Sequence, residues 1–162
     1  MPANTPSVIV RATCGLALAA WIVVLAVTLL SPSAAGPTLL VETTSHILAR
    51  AGVPESLTAA SRVEFGLNVA AFVPVSLLGI PVWPRLSWRD WTATGFVASF
   101  FVEVVQAVWL DGRSATNTDV VANTLGTLVG AALGVVLLAL LPARGSEDGA
   151  DLPHRNSSAE QF

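Results

Sequence analysis

The sequence predicts an all-α membrane protein, a bundle of about four transmembrane helices, and three observations support this. The 162 residues are 53% hydrophobic and 12% charged, with a mean hydropathy of +0.68, which is well above the range of soluble domains. Four apolar runs are long enough to cross a hydrocarbon core about 30 Å thick. These runs are also longer than transmembrane β-strands and do not alternate in polarity as such strands do. We therefore expect the bilayer to be the solvent of this chain.

The four apolar runs are the predicted membrane helices, and they cover about residues 12–30, 65–83, 91–110 and 120–141. Together they define a transmembrane domain at 12–142, which follows an amino-terminal cytoplasmic segment at 1–11. The tail at 143–162 is acidic and polar, so it cannot bury a core and is predicted to be disordered. Between the first two runs, residues 36–61 show helical periodicity, which predicts a short amphipathic segment on the outer surface.

The first run has a second interpretation as a cleavable secretory signal. Arg11 precedes its apolar core, and Ser33 and Ala35 fit the small-residue rule for a cleavage site. The run is long for a signal core, and an uncleaved helix keeps the number of membrane crossings even, so we favour retention. The single cysteine, Cys14, lies in this run, so the sequence predicts no disulfide framework.

Arginines predict the orientation of the helices, because the sequence contains no lysine. If the amino terminus is cytoplasmic, the cytoplasmic side receives four arginines close to helix ends, namely Arg11, Arg85, Arg89 and Arg144. The positive-inside rule therefore favours cytoplasmic amino and carboxyl termini. The short connection between the second and third runs also carries three tryptophans, whose rings prefer the headgroup layer, namely Trp83, Trp88 and Trp91.

The membrane helices carry polar residues that lipid contact does not explain. In the predicted orientation, five of these residues from three helices share one level of the outer leaflet: Asn68, Glu103, Gln106, Asp119 and Asn123. Their spacings of three or four residues place each pair from one run on one face of its helix. A carboxylate inside a membrane helix costs about 2.5 to 3.5 kcal/mol and normally faces the bundle interior or water. We therefore predict a polar cluster inside the bundle, completed by Arg113 from the next loop.

The fourth run also carries a small-residue motif that allows close helix packing. Small residues recur in it every four positions, at Ala122, Gly126, Gly130 and Gly134, and such a ridge lets another helix backbone approach closely. The ridge either presses the polar face into the bundle or serves dimerisation. In the second run, Pro74 removes a backbone hydrogen bond, and the freed carbonyls either line a cavity or find partners on neighbouring helices.

The polar residues of the second, third and fourth runs form three sequence blocks, and these blocks resemble the VanZ-like family of small bacterial membrane proteins. The family pattern is an Asn-x-x-x-Phe-x-Pro helix, a Glu-x-x-Gln helix, an Arg in the next turn and an Asp-x-x-x-Asn-x-x-Gly helix. The matching positions are Asn68, Phe72 and Pro74, then Glu103 and Gln106, then Arg113, then Asp119, Asn123 and Gly126. The match covers about residues 62–141 and departs at Ser76, where the family often has Gly. The family is named for a component associated with teicoplanin resistance, so the resemblance implies a role in the cell envelope and, by analogy, in glycopeptide resistance.

Three functional hypotheses follow from the polar cluster. In the first, the cluster binds an envelope or lipid-linked, peptidoglycan-related component, and Arg113 holds a phosphate or carboxylate. In the second, the protein is an intramembrane enzyme on a lipid-linked precursor, with Glu103 as the catalytic acid or base. In the third, the polar residues only bond one another, and the role is structural or accessory.

Several other functional classes are disfavoured by the composition. The net charge of −3 offers no basic surface to nucleic acid. No Cys, Ser–His pair or metal-binding cluster accompanies Glu103 in the sequence, so we predict neither a metal site nor a cofactor, and binding is favoured over catalysis. Four helices without an inverted repeat argue against a transporter unless the protein is a homo-oligomer. Membrane lipid is the expected surrounding partner in every case.

Overall fold

A computed structural model describes residues 6–31, 33, 35–109 and 117–140, and these residues form six α-helices and no strand. The helices are α1 (Val8–Leu29), α2 (Ala35–Arg50), α3 (Glu55–Thr58), α4 (Ala60–Val82), α5 (Trp88–Trp109) and α6 (Asn117–Leu140). Four of them, α1, α4, α5 and α6, are long and apolar enough to cross a membrane. The predicted all-α fold is therefore confirmed, with four membrane-spanning helices. The predicted disordered tail at 143–162 lies outside the described residues.

Each membrane helix begins three to five residues before its apolar run. The difference arises because a charged residue in the first turn, such as Arg11 of α1 or Asp90 of α5, interrupts the apolar run although that turn is helical. At the start of α5, the backbone N–H and hydroxyl of Ser87 both donate to Asp90 Oδ2 at 2.8 Å, and the Asp90 N–H donates to Ser87 Oγ at 3.3 Å. This reciprocal capping box satisfies donors that the first helical turn leaves without partners.

The pairing of α4, α5 and α6 sets the direction of each helix. Asn68 bonds Asp119 and Ser76 bonds Thr127, and both pairs are separated by 51 residues, so α4 and α6 run parallel. Asn123 bonds Ser99, whereas Thr127 four residues later contacts Gly95 four residues earlier. Thus α5 is antiparallel to α6, and α6 lies between α4 and α5.

The first helix packs on α4 and is antiparallel to it. Arg11 Nη2 donates to the carbonyl oxygen of Val82 at 3.2 Å, and Trp21 Nε1 donates to that of Ala71 at 2.8 Å. The second bond falls in the turn of α4 that Pro74 interrupts, since Pro74 lies inside this helix without ending it. An indole donor from α1 therefore binds a carbonyl beside the one that the proline deprives of its usual partner.

The small-residue ridge of α6 faces α4. A Cβ on Gly126 would overlap the Val69 carbonyl oxygen, and a Cβ on Gly130 would overlap the Val73 carbonyl oxygen. The backbones of α4 and α6 are thus as close as glycine allows. The ridge residues Ala122, Gly126, Gly130 and Gly134 are all buried, so the α4 backbone covers this ridge inside the bundle.

Trp91 differs from the two tryptophans near it. Trp83 and Trp88 are exposed, as expected for rings in a headgroup layer, but Trp91 is buried against Gly79. Its ring centroid lies 5.9 Å from that of Trp83 at an interplanar angle of 51°. With Ile80 and Ala131 it forms the apolar core at this end of the bundle. Trp91 is therefore a packing residue, because Gly79 leaves room on α4 for an indole ring.

The segment for which the sequence predicts an amphipathic helix contains α2 and the short α3, and both pack against α4. The 16 residues of α2 would extend about 24 Å at 1.5 Å per residue, which is too short to cross the bilayer core. Its side chains Leu39, Leu40 and Ile47 remain exposed. We therefore expect α2 to lie along the membrane surface.

Candidate functional site

A line of polar side chains follows α6 into the bundle. Asp119, Asn123 and Thr127 recur at intervals of four residues on α6, so they span about 12 Å of the helix axis at 1.5 Å per residue. Polar residues of α4 and α5 meet this line. The whole set, which we name the polar seam, consists of Asn68, Ser76, Ser99, Glu103, Gln106, Asp119, Asn123 and Thr127.

The seam begins at the end of the bundle where α4 and α6 start. There Asn68 Nδ2 donates to Asp119 Oδ1 at 2.8 Å, and a hydrogen bond to a carboxylate is stronger than one between neutral groups. Glu103 lies at the same level, because Ser99 is opposite Asn123 and the two helices are antiparallel. Its side chain is 8% exposed. The register therefore brings two carboxylates, one from α5 and one from α6, to a common level of the bundle.

Asn123 occupies the next layer and is 2% exposed. Its Nδ2 donates to Ser99 Oγ at 2.9 Å, and its backbone carbonyl accepts from Thr127 Oγ1 at 2.9 Å. Within the described residues, Asn123 Oδ1 is buried and has no hydrogen-bond partner. Asn123 thus joins α6 to α5 and leaves one strong acceptor unused, an arrangement that is costly inside a protein.

The deepest layer lies near the middle of the membrane helices. Ser76 Oγ donates to the backbone carbonyl of Thr127 at 2.6 Å, and both residues are fully buried. The seam is therefore deeper than the single level that the sequence predicts. Ser99 and Thr127 could have been found from the spacing, since Ser99 precedes Glu103 by four residues and Thr127 follows Asn123 by four.

Gln106 connects the seam to α1. Its Nε2 donates to the carbonyl oxygen of Leu29 at 2.7 Å. Leu29 is the last residue of α1, so its carbonyl accepts no hydrogen bond within its own helix. Because α1 and α5 otherwise share few contacts, this hydrogen bond is a main link between them. Gln106 is 5% exposed, so its position is that of a helix cap inside the bundle. Arg113, the remaining predicted member, lies outside the described residues.

The chemistry of the seam is that of hydrogen bonding and of carboxylates. Among residues 6–31, 33, 35–109 and 117–140, no group of three or more His, Cys, Asp and Glu side chains is placed to hold a metal ion. Cys14 is half-buried on α1, and His46 is exposed on α2. The candidate catalytic residue Glu103 therefore shares the seam with amides, hydroxyls and a second carboxylate.

A double-mutant cycle on Asn68→Ala and Asp119→Ala should measure the link between α4 and α6. We expect a coupling energy of about 0.6 to 1.7 kcal/mol, the range found for hydrogen bonds between membrane helices. The measurement is the unfolding free energy in detergent for the two single variants and the double variant. A control cycle on Glu64→Ala and Asp119→Ala should be additive, because Glu64 is exposed on α4. Additivity in the first cycle would contradict the predicted link.

A family model described as VanZ/LLP1 matches residues 14–139. The match includes most of α1, which position and hydrophobicity alone had placed in the domain, and extends to the last turn of α6. Neither a comparison with curated proteins nor one with solved structures found a similar protein. The matched region is well over half of the 162 residues, and its membrane helices carry the polar blocks on which the resemblance rests. The chain is therefore a multi-pass membrane protein that belongs to the VanZ/LLP1 family.

Proposed function

We propose that this protein binds a lipid-linked component of the bacterial cell envelope at the polar seam, without catalysing a reaction on it. The main support is the burial of the Glu103 carboxylate in a membrane-spanning helix. Such a group costs about 2.5 to 3.5 kcal/mol, whereas hydrogen bonds between membrane helices contribute about 0.6 kcal/mol on average. Helix association alone is therefore a weak reason to keep an acid at this position, and a ligand that contacts it is a stronger one.

The ligand class follows from the groups that the seam presents. Amides and carboxylates near the start of α4 and α6 suit the hydroxyl and amide groups of a sugar or peptide. Arg113, between α5 and α6 in the sequence, suits a phosphate or carboxylate, because guanidinium binds both in a bidentate manner. A peptidoglycan-related lipid carries all of these groups. In the topology that the arginines favour, this end of the bundle faces the outside.

A structural role is the second candidate, and the hydrogen bonds of the seam favour it. Asn68 binds Asp119 and Asn123 binds Ser99, so several polar residues already have partners on neighbouring helices. On this hypothesis the seam holds helix register and takes no ligand. The unused Asn123 Oδ1 argues against it, because a purely structural network leaves few buried acceptors without a partner.

The substitution Glu103→Gln should separate the two functions, because it removes the charge and keeps the shape. We expect it to weaken binding of a lipid-linked peptidoglycan precursor at least about tenfold, equivalent to about 1.4 kcal/mol, while the melting temperature changes little. Arg113→Ala should also weaken binding of this anionic lipid. The matched control is Glu64→Gln, the same change at an exposed position of α4, which should leave binding unchanged. Affinity is measured on purified protein in nanodiscs.

Three outcomes distinguish the alternatives. If Glu103→Gln lowers the melting temperature and leaves binding unchanged, the structural role is correct. If the purified wild-type protein consumes the precursor and Glu103→Gln stops turnover, the protein is an enzyme with Glu103 as acid or base. If teicoplanin susceptibility of a host cell falls with the wild-type gene but not with the Glu103→Gln variant, the binding function contributes to resistance.

A further inference from the structure

The end of the bundle opposite the start of the seam carries a basic and aromatic surface around the connection between α4 and α5. We name it the Arg–Trp rim, and its residues are Arg11, Trp83, Arg85, Trp88 and Arg89. Arg11 joins the rim through the tertiary fold, since its guanidinium donates to the Val82 carbonyl oxygen although the two residues are 71 positions apart. The bundle therefore brings three guanidinium groups to one short connection.

The two rim tryptophans project from the ends of membrane helices. Trp83 is 50% exposed and Trp88 is 44% exposed, and indole rings at such positions favour the headgroup layer. The Arg89 Cζ atom lies 5.2 Å from the centroid of the Trp88 ring, within the range of a cation–π contact. Trp83 rests on the buried Trp91 ring. The rim thus presents flat apolar rings beside cationic groups at one depth.

The charges of the two bundle ends differ in sign. Among the described residues, the rim end has three arginines against one acid, Asp90, whose carboxylate is occupied by two hydrogen bonds from Ser87. The described residues of the other end have two arginines, Arg50 and Arg62, against four partly or fully exposed acids, which are Glu42, Glu55, Glu64 and Asp119. Within the part of the chain that the structure describes, the rim is therefore the end with an excess of positive charge.

We infer that the Arg–Trp rim binds the headgroup of an anionic phospholipid in the leaflet that it faces. Guanidinium groups donate paired hydrogen bonds to phosphate oxygens, and the exposed indoles cover the adjoining glycerol region and first methylenes. Each arginine near an anionic membrane surface strengthens attachment about fivefold. This inference concerns the opposite end of the molecule from the proposed ligand, so either can fail without the other.

The test is a lipid titration of the detergent-solubilised full chain, followed by native mass spectrometry. We expect the wild-type protein to bind phosphatidylglycerol at least about 25-fold more tightly than phosphatidylcholine, which is about fivefold for each of Arg85 and Arg89. The double variant Arg85→Gln, Arg89→Gln should lose affinity for phosphatidylglycerol by about fivefold per arginine and bind phosphatidylcholine as before. The matched control, Arg50→Gln with Arg62→Gln, removes the same charge from the other end and should retain the preference.

A third variant keeps the charge of the rim. Arg85→Lys with Arg89→Lys should retain most of the preference for phosphatidylglycerol, which separates electrostatic binding from a change in fold. Equal wild-type affinities for the two lipids would overturn the inference. So would equal losses in the rim and control variants. Displacement of phosphatidylglycerol by millimolar glycerol phosphate would also overturn it, because it would show a site for free phosphate and not for a lipid.

Discussion

Gly130→Ala is expected to destabilise the protein by about 1 to 3 kcal/mol, the usual cost of forcing an extra group into a close-packed core. A Cβ at this position would overlap the Val73 carbonyl oxygen and press on Ser76 Oγ. Backbone cannot move aside as a flexible side chain can, so α4 and α6 must separate. Their separation would also strain the Ser76–Thr127 hydrogen bond of the seam. The measurement is the melting temperature in detergent.

The same substitution at Gly66 is the matched control for this prediction. Gly66 lies in α4 and has open space around the position of its missing Cβ. Gly66→Ala should therefore be neutral or stabilise the helix, by up to about 1 kcal/mol from helix propensity. Equal changes in melting temperature for the two variants would show that the ridge does not act through contact with α4.

Gly79→Ala should have an effect of similar size, because the new Cβ would overlap three atoms of the six-membered ring of Trp91. The indole would have to leave the core that it forms with Ile80 and Ala131. We expect about 1 to 3 kcal/mol of destabilisation, measured as thermal unfolding. The mechanism predicts a specific rescue, because Trp91→Leu removes the three ring atoms that overlap the Cβ. The loss of unfolding free energy in the double variant should therefore be smaller than the sum of the losses in the two single variants.

The expected interaction energy for this pair is about 0.5 to 3 kcal/mol, as for residues in direct contact. Trp83→Leu provides the comparison, because Trp83 is an exposed neighbour of Trp91 and the three atoms nearest to a Cβ on Gly79 all belong to Trp91. Combined with Gly79→Ala, it should show no rescue. If Trp83→Leu rescued Gly79→Ala as well as Trp91→Leu did, the overlap with the Trp91 ring would not be the cause.

Most of the seam could be predicted because charged and amide side chains are rare in membrane helices. Glu103 and Asn123 are conspicuous in apolar surroundings, and their helical spacing to Gln106 and Asp119 places each pair on one face. The places of Ser76, Ser99 and Thr127 in the seam could not be predicted, because hydroxyl side chains are common in membrane helices and can bond their own backbone, as Thr124 does with Val120. Their roles in the seam depend on which helix lies opposite.

The hydrogen-bond partner of Gln106 could not be predicted from the sequence either. Its spacing from Glu103 predicts a shared face, and the structure buries both side chains. The partner, however, is the backbone carbonyl of Leu29, and a carbonyl at the end of α1 has no signature in the sequence. Side-chain spacing within one helix is local, whereas this contact joins residues 77 positions apart.

The sequence by itself predicts that the bilayer is the solvent of this chain, that four helices can cross it, and which helix faces carry polar residues. It also identifies the family. Hydropathy and helical period suffice for the first three because both are local properties of the chain. Only the tertiary structure decided that α4 and α6 run parallel in contact, that Trp91 is buried on Gly79, and that Arg11 lies at the Arg–Trp rim. These features depend on which helices are neighbours and on how close their backbones come. That choice is made by shape complementarity between distant residues, as where the carbonyls of α4 fill the space left by Gly126 and Gly130.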